Sequence, residues 1–172
     1  MRPNVARLNP CNDLEYTEFV SLQVVEYARQ LMRAGEVTPD RSVITAQERL
    51  QELRADRLRL AGHDFLVARS ASDGSRVGWV WLSPATEFLG PSRTSARWLS
   101  QLTVEENCRG HGWGRAILVA LEDHEAARGS DEIWLRVFDW NTVARHLYAS
   151  HGYELTKQYV TDAHFRKRLP SR

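Results

Sequence analysis

Residues 101–116 read QLTVEENCRGHGWGRA, and this stretch decides the fold. An apolar, strand-like run ends at Val104, and a helix-like run begins at Trp113. Three glycines lie in and just after the turn between them: Gly110, Gly112 and Gly114. Glycine lets successive backbone N–H groups point at one place, and the following helix adds the positive end of its dipole. The pattern predicts a site for a pyrophosphate, and the alternative is a plain strand-to-helix turn with spare glycines.

Spacing argues against the familiar phosphate and metal motifs. A P-loop needs Gly-Lys-Ser/Thr, and no lysine lies near this turn. The dinucleotide fingerprint fails because Arg115 stands where its third glycine would fall. The HExxH zinc motif fails because Arg128 stands where the second histidine must be. Cys11 and Cys108 lie far apart without a CxxC spacing, so we expect neither a disulfide framework nor a metal site.

A second informative segment follows at residues 133–153, IWLRVFDWNTVARHLYASHGY. The two segments resemble, in order and separation, the signatures of the GNAT superfamily of acyl-CoA-dependent N-acetyltransferases. The first signature, [QR]-x-x-G-x-[GA], matches residues 109–114. The second, a strand followed by N-x-x-A-x-x-L-Y-x-x-x-G-[FY], matches the downstream segment. The resemblance covers residues 98–169, and the elements before them fit the superfamily's N-terminal half.

Periodicity along the rest of the chain predicts the fold class. Apolar residues repeat at three and four from Asp13 until Gly35, and Thr38 and Pro39 open a second helix that runs through Leu60. Two-residue alternation predicts a hairpin at 63–68 and 76–83, a loop at 83–95 and a strand at 97–104. Helices at 113–128 and 141–150 then alternate with strands at 132–138, 153–160 and 164–169. A short strand at 5–8 precedes them all.

These elements predict an α/β (α+β) fold with a mixed, mostly antiparallel central sheet flanked by helices. The resemblance implies that the two central parallel strands splay apart where they meet the arm of coenzyme A (CoA). A length of 172 residues predicts a single domain over 1–172.

The resemblance implies that acetyl-CoA is the cofactor, and it implies which residues hold it. Leu102 and Val104 would contribute main-chain groups to the pantetheine arm. Asn141 would bond the cofactor, although asparagine at a helix start is also a common N-cap. The pyrophosphate would be held by the turn, chiefly through backbone N–H groups: Arg109, Gly110, His111, Gly112, Trp113, Gly114 and Arg115.

Tyr148 matches the superfamily's tyrosine whose hydroxyl protonates the departing thiolate, as a general acid. The general base stays open among five residues: Glu105, Glu106, Asp139, Glu26 and His151. Glu26 lies on the first helix, so it is either a base or a contact to a cationic acceptor. Four tryptophans either wall the acceptor cleft or pack in the core: Trp79, Trp81, Trp98 and Trp140.

Charge and composition limit the partners. Lys plus Arg number 23 and Asp plus Glu 22, so a net charge of +1 provides no field that would collect nucleic acid or membranes. The longest apolar run is six residues, at 116–121, whereas a membrane span needs ~20. We therefore expect no nucleic-acid and no membrane partner. The cysteine pattern and the absence of an apolar leader predict a cytoplasmic location.

The expected activity is transfer of an acetyl group from acetyl-CoA to a primary amine, which attacks the thioester directly. A small-molecule amine is the expected acceptor, and a homodimer is a possible assembly because dimers are common in the superfamily. The alternatives are a protein or peptide N-acetyltransferase and a non-catalytic acyl-CoA-binding sensor module. An RNA-binding protein using its scattered arginines is a third hypothesis.

Overall fold

The structure, a computed structural model, describes residues 3–33, 35–49 and 61–170. Its elements in chain order are β1 (Ala6–Pro10), α1 (Asp13–Arg33), α2 (Pro39–Arg49), β2 (Asp64–Ser70), β3 (Arg76–Pro84), α3 (Thr86–Leu89), β4 (Ala96–Val104), α4 (Trp113–Ala127), β5 (Glu132–Phe138), α5 (Thr142–Ser150), β6 (Glu154–Gln158) and β7 (Asp162–Arg168). The chain forms two compact units, Met1–Pro10 with Gly62–Arg172, and Cys11–Ala61. The single domain over 1–172 stays a prediction.

The first unit is built on a seven-stranded sheet in the order β1-β2-β3-β4-β5-β7-β6. Only β4 and β5 pair in parallel, and every other neighbouring pair is antiparallel. The predicted mixed, mostly antiparallel sheet flanked by helices is therefore confirmed.

One face of this sheet forms the main core with α4 and α5. Val80, Leu99 and Leu135 are buried there with Ile117 and Leu121 of α4. Because side chains alternate along a strand, Trp98 and Trp134 lie on the opposite face, where they form a smaller cluster with Ala85 and Ala96. The two faces are thus chemically distinct, one aliphatic and the other rich in aromatic rings.

The structure differs from the sequence prediction in the loop after β3 and at the end of β1. The predicted loop at 83–95 contains the one-turn helix α3, whose Phe88 stacks on Trp98 with ring centroids 4.5 Å apart. A contact to a strand ten residues away is not visible in local periodicity. The first strand continues to Pro10, which is tolerated because β1 is an edge strand.

The second unit contains α1 and α2. Asn12 and Glu15 cap α1 reciprocally, since the Glu15 N–H donates to Asn12 Oδ1 at 2.9 Å and the Asn12 N–H donates to Glu15 Oε2 at 3.0 Å. Val24, Leu31 and Ala46 form its small core with Ala28. The rest of the predicted second helix, up to Leu60, lies outside the described residues.

The parallel pairing in the centre of the sheet is short. Ala96 to Leu99 pair with Glu132 to Leu135, and the ladder between β4 and β5 ends there. Beyond it, β4 continues to Val104 along β3, and β5 continues to Phe138 along β7. The facing edges of residues 100–104 and 136–138 are therefore unpaired with each other, and we call this gap the split.

Candidate active site

Main-chain groups of β4 point into the split. The Glu105 N–H donates to the Val77 carbonyl on β3 at 2.9 Å. N–H and C=O directions alternate along a strand, so the main-chain groups of Leu102 and Val104 point the other way, toward the split. Arg109 Nε donates to the Val104 carbonyl at 3.1 Å, which ties the following turn to this edge.

The turn after β4 needs glycine for its backbone conformation. A 3-10 turn over Glu106–Cys108 leads to an extended Arg109, and then Gly110 and Gly112 take φ values of 77° and 82°. A Cβ at either glycine would touch nothing within 4 Å, so conformation rather than space requires glycine. Gly112 is the N-cap of α4 and supplies no side-chain cap. The first N–H groups of α4 are thus available to an anion, which fits a pyrophosphate.

Contacts around the turn hold it between neighbouring elements. Asn4 Nδ2 donates to the His111 carbonyl at 2.7 Å. Trp113 is half-buried against the core. An added Cβ on Gly114 would lie 3.4 Å from Leu147 of α5 and 3.7 Å from Val104, so the start of α4 lies against both. Three side chains of the turn are exposed to solvent: Arg109, His111 and Arg115.

The predicted residues of α5 have distinct surroundings. Asn141 Oδ1 accepts from the Ala144 N–H at 3.2 Å, so this asparagine is the N-cap of α5. Tyr148 is buried in the main core, and its ring centroid is 5.5 Å from that of Tyr153. Burial raises the pKa of Tyr148 far above its usual value. The phenol therefore stays protonated at neutral pH, as a proton donor must be.

Two carboxylates among the candidate bases are held in ion pairs. Glu105 Oε1 accepts from Arg76 Nε at 2.7 Å and from Trp79 Nε1 at 3.0 Å. Both partners of Glu105 come from β3. Asp139 pairs with Arg145 and accepts from Gln158 Nε2 at 3.1 Å. Both carboxylates are therefore already engaged by side chains of the sheet unit.

The remaining candidate bases are scattered. Glu106 is exposed in the 3-10 turn. His151 caps the C-terminus of α5 on the core side, with Nδ1 4.0 Å from Glu122 Oε1, and burial lowers its pKa. Glu26 belongs to the helical unit, where it pairs with Arg29 at 3.6 Å. The structure brings the turn, the split and α5 together, with Glu105 and Glu106 at the start of the turn and His151 at the C-terminal end of α5.

Sequence reasoning missed His164. It lies on β7, and its ring is 5.1 Å from that of Trp98 and 4.9 Å from that of Tyr159. The only available signal was its place between Ala163 and Phe165. Alternation along a strand assigns these two residues to the core face and His164 to the opposite face.

Residues 24–153 match the family model described as the acetyltransferase (GNAT) family. The chain belongs to the GNAT acetyltransferase family. Members of this family use acetyl-CoA. The family match extends over both compact units.

Three known proteins are informative relatives. The chain is 24% identical to the N-acetyltransferase YycN of Bacillus subtilis over 87% of this chain and 92% of that protein, whose own function is uncharacterized. The YycN crystal structure superposes with a TM-score of 0.79, at 22% identity over 91% of this chain and 97% of that one. PaiA N-acetyltransferase of Thermoplasma acidophilum, in complex with CoA, gives a TM-score of 0.66 at 16% identity, covering 95% and 98%. Spermidine N-acetyltransferase of Vibrio cholerae, in complex with CoA and spermine, gives 0.65 at 15% identity, covering 95% of each.

None of the helices seen in 3–33, 35–49 and 61–170 is long and apolar enough to cross a membrane. Within the same residues, no group of three or more His, Cys, Asp or Glu side chains is arranged to hold a metal ion.

Proposed function

We propose that this protein transfers the acetyl group of acetyl-CoA to the primary amine of a small molecule. The observation that carries the proposal is the split itself. The β4–β5 ladder ends after Leu99 and Leu135, and the uncapped start of α4 lies beside the far end of β4. A strand edge with free amide groups suits the amide-rich pantetheine arm, and a helix start suits the pyrophosphate.

Each predicted cofactor residue has a role in this proposal. Leu102 and Val104 offer main-chain groups in the split, where Arg109 already occupies the Val104 carbonyl. The backbone N–H groups of residues 110–115 hold the pyrophosphate. Arg109 acts by fixing the turn to β4, and Arg115 adds positive charge. Asn141 uses Oδ1 for its cap, so its Nδ2 is the group that would donate to the cofactor.

Tyr148 is the proposed general acid. When bound, acetyl-CoA supplies an activated thioester and a thiolate leaving group. Burial keeps the Tyr148 hydroxyl protonated, and none of the described residues accepts a hydrogen bond from it. Its proton is therefore uncommitted within the described chain, and a departing thiolate at neutral pH benefits from such a donor.

The support for a small-amine acceptor comes from a structural neighbour. The solved neighbours include an enzyme named for spermidine, a small amine. Glu26 stays a proposed contact to a cationic acceptor, and a peptide amine is the alternative acceptor. The sensor module is the alternative without turnover. A homodimer stays a prediction.

The test is thiol release from acetyl-CoA over a panel of amines, amino acids, polyamines, aminoglycosides and short peptides. We expect release with at least one small amine. Tyr148→Phe should lower kcat by about 100-fold, as loss of a general acid does, and leave CoA affinity unchanged. Tyr153→Phe is the matched control, because Tyr153 is equally buried beside Tyr148 and should keep its activity.

Three other results would count against the proposal. Release only with peptides would favour the peptide acetyltransferase. CoA binding without release over the whole panel would favour the sensor module. An absence of CoA binding would remove the proposed function of the split and of the turn.

A further inference from the structure

We propose that His164 is the general base that takes the proton from the attacking amine. This inference rests on the proposed function, because it names the proton acceptor of the same reaction. Its support comes from three properties of the histidine: its level along the sheet, the face on which it lies, and ring nitrogens that form no hydrogen bond with a described residue.

His164 lies at the level where the split begins. The β4–β5 ladder ends at Leu135, so Arg136 is the first residue of β5 beyond it. Arg136 pairs with His164 on β7, the next strand of the sheet. Neighbouring strands are about 4.8 Å apart, which puts His164 one strand from the edge of the split.

The imidazole is on the aromatic face of the sheet. Ala163 and Phe165 belong to the main core, so His164 lies on the other face. There the ring of Trp98, which extends from β4, meets it edge-on with centroids 5.1 Å apart. Trp98 adjoins Leu99, the last residue of β4 in the ladder. The Trp98 and His164 rings therefore meet on one face of the sheet, at the level where the split begins. The aliphatic core with α4 and α5 fills the other face, which leaves the aromatic face to the amine.

His164 is available to accept a proton. Its carbonyl accepts a hydrogen bond from Thr156, but neither ring nitrogen is hydrogen-bonded to a described residue. The ring is half-buried and held by its two aromatic neighbours. By contrast, Glu105 and Asp139 are engaged in ion pairs, and His151 lies on the core side. Among the candidates of the sheet unit, His164 combines a free nitrogen with a place beside the split.

Burial, together with two nearby cations, favours the neutral form of His164. Burial lowers its pKa from 6.5, and Arg136 of β5 and Lys157 of β6 lower it further, whereas Asp162 on its own strand raises it. Tyr159, after β6, packs on the ring. Arg136 and Lys157 form no ion pair with a described residue, and lie instead over Phe138 at 5.0 Å and Tyr159 at 4.7 Å. A neutral imidazole at neutral pH is the form that a base requires.

The protons balance over the reaction. As the C–N bond forms and the C–S bond breaks, the amine nitrogen loses one proton to His164, and the sulfur gains one from Tyr148. Exchange with solvent then returns the imidazole to its neutral form and the phenolate to its protonated form. An acceptor that arrives as an ammonium ion releases one further proton.

The experiment compares His164→Gln with wild type on an amine that the panel identifies. We expect kcat to fall about 100-fold, with CoA affinity by calorimetry unchanged. Imidazole added to His164→Ala should restore part of the lost rate. His146→Gln is the matched control, because His146 is a solvent-exposed histidine on α5.

The pH profile separates a base from a structural residue. The wild-type rate should decrease as the pH falls below the pKa of His164, which is itself below 6.5. The acceptor ionises identically in both proteins, so the ratio of wild-type to His164→Gln rates isolates the histidine and should fall about tenfold per pH unit below that pKa. In the NMR spectrum of the free wild-type protein, the imidazole signal that is absent from His164→Gln belongs to His164. This signal should titrate with the same lowered midpoint as the rate ratio.

Failure of the inference and failure of the proposed function are distinguishable. An inactive wild type removes the proposed function. An active wild type with a His164→Gln variant of equal rate, or with a rate ratio that is independent of pH, overturns the role of His164 and leaves the proposed function intact. A lower rate that imidazole does not restore and that has the wild-type pH profile would also overturn it.

Discussion

Gly78 lies where β3, β4 and α4 come closest together. A Cβ on this residue would lie 2.3 Å from the Thr103 carbonyl oxygen and 2.7 Å from Ile117 Cδ1. The oxygen is backbone and cannot move aside without disturbing the β3–β4 ladder. Gly78→Ala should therefore destabilise the fold by about 1–3 kcal/mol, the usual cost of overpacking.

Urea denaturation of Gly78→Ala measures this cost. Ala127→Ser, an exposed change at the end of α4, is the control and should stay within about 0.5 kcal/mol of wild type. Equal stability of the two variants would mean that β3 and β4 move apart at Gly78 without a cost in the free energy of unfolding.

Individual residues differ in how far sequence predicts them. The cap by Asn141 is a contact to a residue three positions away, and local pattern was sufficient to predict it. The ion pair of Glu105 could not be predicted in this way, because its partners Arg76 and Trp79 lie 29 and 26 residues earlier in the chain. His164 was missed for the same reason, since its ring neighbour Trp98 comes from a different strand.

The helix α4 provides a matched pair of glycines for testing the turn. Gly112 before it and Gly129 after it have φ values of 82° and 85°, and neither would place a Cβ within 4 Å of a neighbour. Alanine at either position costs a similar strain, about 1 kcal/mol, from the left-handed conformation. Gly112 is at the proposed pyrophosphate site and Gly129 is at the opposite end.

The prediction is a difference in cofactor affinity. Gly112→Ala should weaken CoA binding about tenfold, because the N–H groups that start α4 are displaced, while Gly129→Ala should bind as wild type does. Both should lose similar stability. Calorimetric titration with CoA measures the affinities, and an equal loss in both variants would contradict the pyrophosphate site at this turn.

Elements with a strong local pattern could be predicted, and those shaped by contacts could not. Asp13–Arg33 and Trp113–Ala127 have long amphipathic repeats, and the predicted helices match them closely. Thr86–Leu89 is a single turn with no repeat of its own. The split was implied only by the family resemblance, because the sequence of β4 continues as a strand after its pairing with β5 has ended.

At the scale of the whole molecule, two half-buried histidines, His151 and His164, couple stability to pH. Burial lowers the pKa of both His151 and His164 from 6.5. The unfolded chain therefore binds more protons than the native state between the lowered values and about 6.5. Stability is fully present above that window and decreases as the pH falls through it. The pKa values of Asp40 and Asp73 are lowered from 3.8, so their contribution is lost only in stronger acid.

The lowered pKa values of the two histidines predict how stability changes with pH. The free energy of unfolding should decrease between pH 7.5 and pH 5.5, and His151→Leu should reduce the decrease because one of the two responsible groups is removed. His146→Gln, at an exposed position, should leave the pH dependence as it is in wild type. Urea denaturation at the two pH values measures the difference. If His151→Leu left the pH dependence unchanged, this histidine would be protonated as easily in the native state as in the unfolded chain. The attraction of Glu122, which also pairs with Lys167, would then have to offset the effect of burial on His151.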